Sequence, residues 1–168
     1  MNKKIFSLIC AVSCSLIWGT AFVAQDMGMD YIGPYTFSAV RLLLGFFTLL
    51  PFFFIFEFKK VKETKLSFEK IFIYLFLLGF FLAGGNIFQQ VSLLYTDVAN
   101  SAVFTVLYVV IVPIIAYFLF SKKIHNSVWP SVLMCLVGGL FLSELGNLRV
   151  RFGDSLVVVG AFFWAFHI

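Results

Sequence analysis

Apolar runs of membrane-crossing length recur along this chain, and nothing else in it constrains the fold as strongly. They lie at Ile5–Val23, Ile32–Phe56, Ile71–Leu94, Val98–Phe120 and about Val128–Leu142. A sixth begins near Ser155 and stops at Ile168. A span needs about 20 helical residues to cross a hydrocarbon core about 30 Å thick. The roughly 14 residues of the sixth run reach only about 21 Å. The expected fold is all-α: a polytopic transmembrane helix bundle with five complete spans and a partial sixth.

Composition removes the alternatives. Of 168 residues, 62% are hydrophobic and 12% charged, with a mean hydropathy of +1.04. A soluble domain has about 45–50% apolar and about 25% charged residues. A globule of this size keeps too much wet surface to hide the excess. A soluble enzyme, a disordered tail and a nucleic-acid binder are all excluded on that ground. The net charge of +4 is no nucleic-acid signal, because the charges sit in short clusters between apolar runs.

Those clusters set the expected orientation. Lys3 and Lys4, then Lys59, Lys60, Lys62, Lys65 and Lys70, then Lys122 and Lys123 place nine basic residues on one side. The alternate loops carry Asp26, Asp30 and Asp97, then Arg149 and Arg151 beside Glu144 and Asp154. Lys and Arg accumulate in cytoplasmic loops, so the N-terminus is expected in the cytoplasm. The basic 57–70 stretch is expected to be a solvated loop rather than a surface helix. Lys3 and Lys4 ahead of an apolar run also fit the outline of a signal peptide. Cleavage would export the new N-terminus and invert the charge bias of every later loop, so the run is read as a first span. Cys10, Cys14 and Cys135 all lie within spans. Cys10 and Cys14 share a helical face, but two thiols without a His or an acid make a weak metal site. They are read as small residues for close packing.

The spans carry polar stripes at helical spacing. Span one gives Ser7, Ala11, Cys14, Trp18, Ala21 and Gln25; span two gives Pro34, Ser38, Arg41, Gly45 and Thr48. Span three gives Gly79, Ala83, Asn86 and Gln90; span four gives Asp97, Ser101, Thr105 and Tyr108. Lipid penalises unpaired polar groups, so these stripes must face one another or water. Packing through small residues explains Gly45, Gly79 and Ala83. It explains Arg41, Asn86 and the Gln89–Gln90 pair less well. Arg41 lies about 13 Å below the end of its span, with no acid at comparable depth in the five spans. A central Arg costs roughly 2.5–3.5 kcal/mol on insertion scales. Three roles are open to it: holding an anionic or carbonyl-bearing substrate, bonding helix carbonyls, or pairing with an acid from outside the five spans. Pro113 frees the Val109 carbonyl and is expected to kink span four as a hinge. Gly84–Gly85 is a second expected bend, and Gly138–Gly139 a packing contact. Among motifs there is no HExxH, P-loop or GxSxG, and His125 and His167 have no Cys or acid partner in the sequence. The chain is therefore expected not to be an enzyme, and neither a metal nor another cofactor is implied.

A short echo joins the two ends. Cys14-Ser15-Leu16-Ile17-Trp18-Gly19 and Gly160-Ala161-Phe162-Phe163-Trp164-Ala165 share two small residues, two apolar, Trp, small. Five spans lie between them, so the second copy would be inverted.

The same residues resemble a known family. Ile17-Trp18-Gly19-Thr20-Ala21-Phe22-Val23-Ala24-Gln25, Gly33-Pro34 with Arg41 seven positions on, and Gly85-Asn86-Ile87-Phe88-Gln89-Gln90 resemble EamA-type transporters of the drug/metabolite transporter superfamily. So do Ala99-Asn100-Ser101-Ala102, the stretch Leu107-Tyr108-Val109-Val110-Ile111-Val112-Pro113, and Gly153-Asp154-Ser155-Leu156 before Phe163-Trp164-Ala165. Two departures stand out. Ser121-Lys122-Lys123-Ile124 occupies the place of a Gly-Glu-Arg-Leu-like stretch, and Asp26 stands where a basic residue is frequent. The resemblance implies a ten-span carrier of the bacterial inner membrane built from two five-helix repeats. On that scheme residues 1–145 form one repeat, and 146–168 an outer loop and the truncated first helix of a second. It implies export or uptake of a small metabolite by alternating access, without ATP. Trp18, Arg41, Asn86, Gln90 and Tyr108 would line the substrate cavity: Arg41 for charge, Asn86 and Gln90 for hydrogen bonds, Trp18 and Tyr108 as an aromatic wall. The expected partners are the substrate, membrane lipid, and a second half-transporter or a second copy. An accessory membrane subunit and a non-functional truncated product are the rival readings.

Overall fold

Hydropathy of this kind has one structural outlet, because in lipid a backbone must satisfy its own hydrogen bonds. The computed structural model describes residues 3–63, 67–121, 123–142 and 151–168, and these are helical apart from short turns. Helix α1 is Lys3–Met29, α2 Pro34–Phe52, α3 Phe58–Glu63 and α4 Phe68–Ser92. Then come α5 Val98–Thr105, α6 Tyr108–Phe120, α7 Val128–Leu142 and α8 Phe152–His167. Among the described residues four segments are long and apolar enough to span a bilayer: Lys3–Met29, Pro34–Val61, Phe68–Ser92 and Val98–Phe120. The chain is a multi-pass, all-helical membrane protein. Helices α7 and α8 have 15 and 16 residues, about 22 and 24 Å, so length does not set the fifth apolar run apart from the sixth. Lys65, Lys122, Glu144, Arg149 and the 145/146 repeat boundary lie outside the described residues.

Local sequence explains most boundaries. Gly33 precedes Pro34, whose fixed φ and missing N–H suit the first turn of α2. The second span does not stop at Phe56. A π-helical turn at Phe53–Glu57 follows Pro51 and leads directly into α3. Residues 58–63, expected in a solvated loop, continue the helix. Straight-chain residues favour helix there, and Lys60 pairs with Glu57 at 2.8 Å. Span four is broken at Val106–Leu107, where Val106 and Leu107 bond to carbonyls three residues back. That is six to seven residues before Pro113, which lies inside α6. The Thr105 hydroxyl donates to the Ser101 carbonyl at 2.7 Å, a back-bond that bends helices. The Gly84–Gly85 pair does not interrupt α4, which is continuous through it.

Helix α8 is the centre of the packing, not an appendage. It packs most extensively along α4 and also lies against α5 and α6. The approach depends on glycine. A Cβ on Gly160 would sit 3.3 Å from Phe88 Cβ and 3.4 Å from the Gly85 carbonyl. One on Gly153 would sit 2.7 Å from the Ser92 carbonyl. Gly85 lies under Trp164, and Gly84 under Phe163. In lipid no hydrophobic force draws helices together, so such close backbone packing carries the association. A Cβ on Gly139 would sit 3.2 Å from Val103 Cγ1, whereas one on Gly138 would have nothing within 4 Å.

Two predictions follow from this packing. Gly153→Ala drives a methyl into backbone, so it should lower unfolding stability in detergent by about 1–3 kcal/mol. Gly79→Ala, with open space around it, should change it by less than about 0.5 kcal/mol. Ser121 ends α6 in the left-handed region at φ 51. A side chain there costs roughly 1–2 kcal/mol, so Ser121→Gly should raise the unfolding midpoint in the same assay.

Candidate functional site

Antiparallel register brings the polar stripes together at one depth. Arg41 lies seven residues after Pro34, and Asn86 six before Ser92, so each is about 9–11 Å from the same end of the bundle. An Arg41 guanidinium N–H donates to Asn86 Oδ1. Asn86 Nδ2 donates to the Leu82 carbonyl at 2.9 Å. The guanidinium also lies over the Phe37 ring, 5.9 Å from its centroid. Among the described residues no carboxylate pairs with Arg41. Its only polar partner there is a neutral amide.

Beside this pair sits a knot of glutamines. Gln25 Nε2 donates to the Ala21 carbonyl at 3.0 Å. Gln89 Nε2 donates to Gln25 Oε1, and Gln90 Nε2 to the Gln25 carbonyl, both at 3.3 Å. Gln90 is wholly buried (0% exposed), and Gln25, Ser38, Asn86 and Gln89 nearly so. Three of these side chains keep an oxygen without a hydrogen-bond partner: Ser38 Oγ, Gln89 Oε1 and Gln90 Oε1. A stranded buried acceptor costs roughly 1–3 kcal/mol. Such groups in a native fold call for an explanation, and a ligand that donates hydrogen bonds is one.

An aromatic group lies deeper, about 15–18 Å from the same end. Trp18 of α1 meets Tyr108 of α6 at 6.4 Å between centroids and Trp164 of α8 at 6.2 Å, edge on. Trp164 Nε1 is buried and unpaired. The indole covers Gly85, the neighbour of Asn86, so α4 joins the polar and aromatic groups. The five residues singled out in the sequence thus fall into two sets, Arg41 with Asn86 and Trp18 with Tyr108, with Gln90 bonded to α1. Sequence reasoning passed over Gln25, Gln89 and Trp164 as site residues. Gln25 closes the span-one stripe, Gln89 adjoins Gln90, and Trp164 is the echo of Trp18.

Burial along the stripes is graded. Gln25, Ser38, Asn86, Gln90, Ser101 and Thr105 are buried, whereas Ser7, Ala11, Cys14, Gly45, Thr48 and Gly79 on the same stripes are exposed. The buried members lie towards the end bearing the 30–33 and 93–97 turns, the converged end of the bundle, and the exposed ones towards the other.

A helical membrane bundle with a charged, glutamine-rich interior beside two indoles in edge-on contact fits a membrane carrier. The chain belongs to the EamA-like transporter family, whose description matches residues 5–144. It is 30% identical over 166 residues to an uncharacterized transporter of Archaeoglobus fulgidus, covering 99% of this chain and 49% of that protein. It is 27% identical over 157 residues to the uncharacterized transporter YoaV of Bacillus subtilis, covering 91% and 52%. The chain therefore spans about half the length of the curated relatives it matches. No solved structure matches it.

Gln90 separates stability from function. Gln90→Met removes an orphaned acceptor and keeps the volume, so thermal unfolding in detergent should move to the same or a higher temperature. A fall of several degrees would mean that the amide is structural.

Proposed function

We propose that the chain carries the substrate-binding half of a cell-membrane transporter that moves a small metabolite by alternating access. Residues 1–145 are read as one five-helix repeat, and 146–168 as the opening of an inverted second one. Five spans plus the start of a sixth, with the N-terminus in the cytoplasm, complete this scheme. Family membership supports a transporter over an enzyme. The position of Trp18 and Trp164 supports the inversion. These residues hold equivalent places in the sequence echo, on helices that run in opposite directions relative to the converged end, and they meet near mid-depth. Contact between equivalent residues is what a two-fold axis in the membrane plane produces.

The observation that carries the functional reading is the Arg41–Asn86 pair. An ion whose only polar partner among the described residues is a neutral amide keeps its charge available. Arg41 would hold an anionic or carbonyl-bearing part of the substrate. Asn86 would orient the guanidinium, and Gln90 with its neighbours would accept hydrogen bonds. Trp18 and Tyr108 would form an apolar wall at mid-depth. Pro113 and the break at Val106–Leu107 give the helix that carries Tyr108 a place to flex.

Arg41→Ala should cut flux at least about tenfold, the effect of losing one charge-assisted bond, with insertion and abundance unchanged. Collapse of abundance instead would make Arg41 structural. For topology, Lys123→Cys should be shielded from an impermeant thiol reagent applied outside, and Tyr31→Cys should be open to it. The reverse pattern would overturn the orientation.

A further inference from the structure

At the converged end of the bundle two short segments far apart in sequence meet, residues 92–97 and 151–154. Thr96 Oγ1 donates to Asp154 Oδ1 at 2.5 Å, and the Arg151 backbone N–H donates to Asp154 Oδ2 at 2.8 Å. The Arg151 guanidinium pairs with Asp97 at 2.5 Å. Gly153 lies flat against the 92–96 backbone: a Cβ would sit 2.7 Å from the Ser92 carbonyl and 2.8 Å from the Thr96 nitrogen. Phe152 closes edge on over Tyr95 at 5.3 Å. Beneath them, Ser92 Oγ and Ser101 Oγ are 3.2 Å apart and fully buried.

From this geometry we infer that Gly153–Asp154 is a latch on the Ser92–Asp97 turn, one that closes this end of the polar interior and opens by exchanging its bonds for water. Three observations carry it. The Thr96–Asp154 and Arg151–Asp97 contacts are polar and lie at the helix ends, where Tyr95, Asp97 and Arg151 are exposed, so water can replace these two as the segments part. Farther along α8 the packing is different in kind: Val157, Ala161 and Ala165 are buried, and Phe163 lies against Phe80, Phe81 and Phe88. That dry seam has no water to exchange with and holds α8 to α4 when the end opens. At the other end the stripe residues Ser7, Ala11, Cys14, Gly45, Thr48 and Gly79 are exposed, in contrast to the buried Ser92 and Ser101 beneath the latch. The inference rests on the alternating-access reading, for which a one-sided closure is the device required.

Thiol accessibility tests it in membrane vesicles. Cys10, Cys14 and Cys135 are replaced by alanine, and Ser101→Cys serves as a reporter beneath the latch. An impermeant methanethiosulfonate applied from the latch side should label it slowly. Thr96→Val and Asp154→Asn should each speed labelling about tenfold, since a hydrogen bond to a charged group is lost. A disulfide between Thr96→Cys and Asp154→Cys should abolish it. Unchanged labelling in both single variants would overturn the latch. So would an equal rise at Ala165→Cys, deep in the dry seam, which would mean that α8 has come away as a whole. Thr96→Val leaves the carboxylate and its backbone bond in place, so one arm stands if Asp154→Asn does not fold. The readout needs no transport: labelling that responds as expected in a chain that moves no solute would uphold the latch and refute the carrier reading.

Discussion

In a bilayer a polar side chain has no water to fall back on, and the arrangement of this protein follows from that constraint. Gln25, Ser38, Arg41, Asn86, Gln89 and Gln90 lie on three helices that could not each face lipid with them. They converge, bonding where they can: Arg41 to Asn86, Gln89 and Gln90 to Gln25. The satisfaction is incomplete, with oxygens on Ser38, Gln89 and Gln90 left unpaired. A purely structural polar core would be cheaper if it were apolar. The proposed site rests on this retention of one arginine and several half-bonded amides within the same end of the bundle.

Glycine makes the convergence possible. Gly84, Gly85, Gly153 and Gly160 let α4 and α8 approach until side chain lies on backbone. This contact puts Trp164 over Gly85 and against Trp18, and puts Asp154 on Thr96. One helix pair thus positions both the Trp18–Trp164 contact and the Thr96–Asp154 bond.

Hydropathy made the helices legible, because a long apolar run has only one structural outlet in lipid. The bounds of Val98–Phe120 and Val128–Leu142 coincide with helix ends. The stripes were legible too, since a period of 3.6 places Arg41 and Asn86 on inward faces. What hydropathy does not encode is docking. The helix after Ser155 reads as a short stub, yet it is the most extensively packed in the bundle, because its contacts depend on small residues at Gly153, Gly160 and Ala161 rather than on apolarity. Asp154 reads as an outer-loop charge and is instead buried. Within span four, bonds to carbonyls three residues back run from Val106 to Val110, upstream of Pro113, beside the Thr105 back-bond to Ser101. The π-helical turn after Pro51 carries no pattern that a periodicity reading detects.

The proposed site is tested most directly by its own fluorescence. Two of the three tryptophans, Trp18 and Trp164, lie in it, and Trp129 lies on α7. With Trp129→Phe in place, the chain in lipid is titrated with a panel of anionic, carbonyl-bearing and cationic metabolites. The site predicts saturable quenching by compounds that carry an acidic or carbonyl group, lost in Arg41→Ala and in Trp18→Phe. Quenching that survives Arg41→Ala, or that is confined to cations, would contradict it.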